Sequence, residues 1–78
     1  MTRVEDLVAR VLGIAPGAVR DDMEYRSIPE WDSLKHIDLM IALEAELNTE
    51  ISADMMVELT SVGAIRRFIA DKSKGAQA

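Results

Sequence analysis

Apolar residues recur at helical spacing in several stretches of the chain. Val4, Leu7, Val8, Val11 and Leu12 fall at i, i+3, i+4, i+7 and i+8, a single stripe along one face of a helix. Thr2 and Glu5 have capping-box spacing, which starts this helix near Arg3, and Gly13 with Pro16-Gly17 stops it. Residues 14–31 lose the period. Two prolines, a glycine and the pair Asp21-Asp22 mark a long loop, with Ile14, Val19, Met23 and Ile28 spaced along it as pins to a core. So long a loop in a small domain tends to be functional. A second helix is predicted from Asp32-Ser33 to about Leu47, with either of the first two residues as cap and Asn48-Thr49 as its end. A short third segment follows Ser52 and carries Met55, Met56 and Leu59. A last helix, capped by Thr60 or Ser61, places Val62, Ile65, Phe68 and Ile69 on one side. No strand pattern is present. The expected class is all-α, a four-helix bundle with a short third helix and a long loop between helices 1 and 2. Residues 1–72 are expected to form one domain and 73–78 a flexible C-terminal tail.

The second helix carries two apolar faces. At 100° per residue, His36, Leu39, Met40, Leu43 and Leu47 fall within an arc of about 100°, wide enough for a core stripe. Leu34, Ile37 and Ile41 form a second cluster roughly 140° away, bordered by Asp38 and Ala45, with Glu44 between the two. The second cluster is a candidate docking patch with an acidic rim. The alternative is that the long loop folds over Leu34 and Ile37.

Composition narrows the function. The chain has 78 residues, room for one small core and no deep catalytic cleft beside it. It has no cysteine, which excludes disulfides, thiolate metal sites and a cysteine nucleophile. Fourteen acids against nine bases give a net charge of -5. That balance argues against a nucleic-acid partner and favours a basic protein surface, although acidity also serves plain solubility. No stretch approaches a membrane span, and the first residues are too acidic for a signal peptide, so a soluble, cytoplasmic chain is expected. A monomer is the expected state.

Ser33 carries the chemistry. Taken by itself, a serine at a helix start is most often a cap. A hydrolytic nucleophile would need a base, and His36 is the only histidine; no Gly-x-Ser-x-Gly turn or oxyanion hole accompanies it. The same hydroxyl lies where backbone N–H groups are unpaired and the helix dipole is positive, so a phosphodiester attached there is electrostatically favoured. Asp21-Asp22 lacks EF-hand spacing and reads as a solvated loop. His36 is expected to pack at the core edge or beside Trp31, and Trp31 to staple the loop to the helix. Met55 and Met56 read as adaptable core filler.

Asp32-Ser33-Leu34 at the start of the second of four helices resembles the phosphopantetheine attachment motif of acyl carrier proteins. The resemblance runs without a gap from Asp32 to Ile51, including the glutamate-rich helix end and the Thr49-Glu50-Ile51 turn. It resumes at Thr60-Ser61-Val62 and the last helix. It implies that Ser33, flanked by Asp32 and Leu34, receives a covalent 4′-phosphopantetheine arm from coenzyme A through a Mg²⁺-dependent phosphopantetheinyl transferase. The chain would then be a phosphoprotein and a substrate shuttle, not an enzyme. Acyl groups would ride on the arm as thioesters, and the methionine pair would line the place where an acyl chain inserts. Leu34, Ile37, Asp38, Ile41 and Glu44 match positions that meet partner enzymes, such as ketosynthases or acyltransferases. Trp31, Lys35, His36 and Ala45 depart from the fatty-acid pattern. The Trp-Asp-Ser-Leu-Lys-His wording is more similar to discrete carriers of polyketide or related specialised pathways. Fatty-acid synthesis, and a non-carrier helical interaction domain with Ser33 as a cap, stand as the alternatives.

Overall fold

A computed structural model describes the backbone of residues 4–77 and the side chains of 4–72. The elements are α1 (Val4–Leu12), a 3-10 turn (Pro16–Ala18), α2 (Ser33–Leu47), α3 (Ala53–Glu58) and α4 (Val62–Gln77). The all-α, four-helix reading holds, and α3 is the short helix expected. The Thr2–Glu5 capping box and the helix start at Arg3 lie outside the described residues. So do the side chains of the expected tail, 73–78; the backbone of α4 runs on to Gln77, past the boundary drawn at residue 72.

The stripe of α1 is core: Val4, Leu7, Val8 and Leu12 are buried, and α1 packs on both α2 and α4. Gly13 ends α1 with φ 73°, and its N–H reaches back to the Ala9 carbonyl at 2.8 Å. From α2 the core receives His36, Leu39, Met40 and Leu43; from α4, Val62 and Ile65. Leu47, at the last turn of α2, is half-buried.

The long loop is held in place by backbone bonds to the link between α3 and α4 and to the first turn of α4. Tyr25 N–H donates to the Thr60 carbonyl at 2.8 Å, Val62 N–H to Met23 at 3.0 Å, and Gly63 N–H to Asp21 at 3.1 Å. Glu24 and Ser61 form an isolated antiparallel bridge within this ladder. At Gly63 a Cβ would stand 3.3 Å from the Asp21 carbonyl oxygen, so the close approach of loop and α4 uses the missing side chain. Of the four pins, Val19 and Met23 are buried and Ile14 and Ile28 half-buried.

Asp21 and Asp22 are engaged as counter-ions. Arg66 of α4 reaches both Asp21 and Glu5 of α1, while Asp22 pairs with Arg20. Hydrogen bonding to Glu5, then to Asp21, raises the Arg66 pKa further above its ordinary value. Arg20, Asp21 and Asp22 are exposed and Arg66 and Glu5 half-buried, so the pairs that reach the loop orient it more than they stabilise the fold.

Candidate functional site

Asp32 caps α2. Its backbone is extended, and its Oδ1 accepts from Lys35 N–H at 2.9 Å. The choice left open between Asp32 and Ser33 thus falls to Asp32. Ser33 becomes the first helical residue, and its exposed side chain is free of capping duty.

The other described serines differ. Ser52 Oγ accepts from Met55 N–H and caps α3, and Ser61 Oγ accepts from Ala64 N–H at the start of α4. Ser27 Oγ donates to the Glu24 carbonyl and accepts from the Glu24 N–H. Only the Ser33 hydroxyl, among these four, is paired with another side chain: the Tyr25 hydroxyl, at 2.6 Å.

Tyr25 was not singled out by the sequence. It lies eight residues before Ser33, across a loop with no periodicity, and the ladder to Thr60 is what brings it there. Its ring packs against the His36 imidazole, centroids 4.9 Å apart. Tyr25, Ser33, His36, Ile37, Met56, Val57 and Thr60 line a largely apolar cleft of ≈ 420 Å³. Of the methionine pair, Met56 reaches this cleft.

His36 lines the cleft with little of its surface open, 8% exposed. The Trp31 indole N–H donates to its Nδ1 at 3.0 Å. An indole nitrogen can only donate, so Nδ1 accepts and the ring proton resides on Nε2. Nε2 in turn donates to the Met56 carbonyl at 2.9 Å. With both nitrogens engaged, the ring has no free lone pair to take a proton from Ser33, which removes the geometry a serine hydrolase needs. Trp31 is fully buried and is the staple expected of it.

The second face of α2 is open. Leu34 is 67% exposed, Ile37 47% and Ile41 57%, so the loop does not cover them. Val57 of α3, also exposed, extends this apolar surface past the cleft. Asp38 is exposed beside it. Glu44 has a structural duty that its helical position did not reveal: its Oε2 accepts from Ile51 N–H at 2.8 Å and ties the turn after α2. Asn48 ends the helix there in the left-handed conformation, φ 50°.

Residues 2–69 match the family model described as "Phosphopantetheine attachment site". The chain belongs to this family of acyl carriers. It is also similar to a protein named acyl carrier protein from Sulfurovum sp. (strain NBC37-1), with 30% identity over 66 residues, spanning 85% of this chain and 88% of that one. Family members take a covalent 4′-phosphopantetheine arm and act as carriers rather than catalysts. The residues present fit such a group. An exposed hydroxyl stands on the first turn of a 15-residue helix, where the N–H groups of Ser33 and Leu34 have no carbonyl one turn back. An apolar cleft opens alongside it. No helix among the described residues is long and apolar enough to cross a membrane.

Proposed function

We propose that the chain is a carrier of acyl groups in a polyketide or related specialised pathway of the cytoplasm, with Ser33 as the attachment point. The observation that carries this reading is the Ser33 hydroxyl: exposed, on the first turn of α2, and excused from capping by Asp32. Residues 1–72 act as the carrier unit. The arm, when present, supplies a thiol that holds acyl groups as thioesters.

The chain's own residues divide the work. Asp32 fixes the first turn, so that the serine is presented rather than buried. The positive end of α2 favours the phosphodiester. Met56, Val57 and Ile37 offer an apolar wall to a carried chain. Lys35 and Ala45 make the recognition helix less acidic than a fatty-acid carrier's, which supports the specialised pathway. The test is intact-mass measurement after incubation with coenzyme A, Mg²⁺ and a promiscuous phosphopantetheinyl transferase. A gain of one phosphopantetheine per chain is expected. No gain, under conditions that modify a control carrier, would reject the reading.

Leu34, Ile37, Asp38 and Ile41, with Glu44 at the edge, form the face proposed to meet the transferase and the acyl-processing enzymes. Ile41→Ala should leave stability within about 0.5 kcal/mol, as at other surface positions, where a buried isoleucine would lose about 2–5 kcal/mol. Its loss of apolar area should appear as faster dissociation from the transferase. Asp38→Lys should instead slow association with a basic partner and flatten its salt dependence. Urea unfolding of both variants, with transferase kinetics at two salt concentrations, separates these outcomes. An Ile41→Ala domain that unfolds easily yet is modified at the native rate would remove Ile41 from the face.

A further inference from the structure

The ladder that fixes the loop, the ring contact with His36 and the 2.6 Å bond to Ser33 together leave the Tyr25 hydroxyl little freedom. Its backbone is tied to Thr60, and its ring is set against an imidazole that is itself bonded at both nitrogens. The hydroxyl is therefore presented to one place, the Ser33 oxygen at the mouth of the cleft. In the unmodified chain either hydroxyl can donate.

Esterification of Ser33 removes that symmetry. The serine oxygen loses its proton and becomes a poor ester acceptor, and the adjoining phosphodiester brings one negative charge shared over two oxygens. Tyr25 must then be the donor. Charged oxygens next to its former partner are the strongest acceptors within its range, and a hydrogen bond to an ionised acceptor is roughly twice as strong as a neutral one. We propose that Tyr25 is a positioning residue for the attached arm: its hydroxyl passes from Ser33 Oγ to the phosphodiester and directs the root of the arm toward the apolar cleft beside Met56 and Val57. This rests on the assignment of Ser33 as the attachment point.

The test is a cycle of four proteins, native and Tyr25→Phe, each unmodified and modified, with modification followed by intact mass. Phenylalanine keeps the ring against His36 and removes only the hydroxyl. By urea unfolding, Tyr25→Phe should reduce the folding equilibrium constant in both forms, and about fivefold more in the modified one, because there the lost bond is charge-assisted. The phosphorus-31 resonance of the arm should also move between native and variant. A hydroxyl with a purely structural role would weaken both forms equally and leave the resonance in place, and either result overturns the proposal. Failure of the native chain to gain the arm would instead refute the Ser33 assignment itself.

Discussion

Ser33→Ala is expected to fold as the native chain does and to take up no arm at all. The cap of α2 belongs to Asp32, so the substitution leaves the first turn intact, and alanine is the best helix former. What is lost is the exposed bond to Tyr25, worth about 0.5–1.5 kcal/mol at most. The loss of modification should be complete. Ser27, Ser52 and Ser61 have their hydroxyls bound to backbone groups, so none stands ready to substitute. Asp32→Ala gives the contrast: it should cost about 1 kcal/mol as a lost cap while leaving the hydroxyl present. Mass spectrometry beside circular dichroism reads both variants. A folded Ser33→Ala chain that still gains the arm would move the attachment point elsewhere.

The largest effect on stability is expected at Trp31. Its side chain is fully buried, and its indole N–H is the donor to His36 Nδ1. Trp31→Ala removes the ring and should cost about 3–5 kcal/mol. A domain of this length has roughly 4–12 kcal/mol in all, so that variant should be largely or wholly unfolded at modest urea. Trp31→Phe is the informative companion. It restores most of the volume but leaves His36 Nδ1 without a donor, a penalty of about 1–3 kcal/mol for an unsatisfied buried acceptor. If Trp31→Phe were as stable as the native chain, the indole bond would be dispensable and the ring's role one of volume alone.

The parts of this molecule that could be read from sequence are those encoded locally. The stripe of α1 and both faces of α2 follow from residues three and four apart, and burial agrees at Leu39, Met40, Leu43 and His36 on one face and at Leu34, Ile37 and Ile41 on the other. The capping of α2 was ambiguous because Asp and Ser are equally good caps; geometry had to choose. Tyr25 and the duty of Glu44 were not legible for a different reason. Tyr25 reaches Ser33 only because the loop pairs with residues 60–63, a contact between distant segments that leaves no periodic mark. Glu44 looks like a surface acid on the helical wheel, and its bond to Ile51 N–H depends on how the chain turns after Asn48. The neighbourhood of His36 and Trp31, five residues apart, is legible in the sequence; the bond from His36 to the Met56 carbonyl, twenty residues on in α3, is not.

Helix α3 supplies no fully buried side chain; it is held by its Ser52 cap, by half-buried Met55 and Met56, and by the bond from His36 to the Met56 carbonyl. Its first anchored core residue is Leu59, just past its end. Such an element can detach without the rest unfolding. Native-state hydrogen exchange should therefore divide the chain in two: the amides of Met56 and Leu59, bonded to Ser52 and Met55, exchange through a local opening whose rate is indifferent to changes in the α1–α2 core, whereas those of Leu39 to Leu43 exchange only when the whole domain opens.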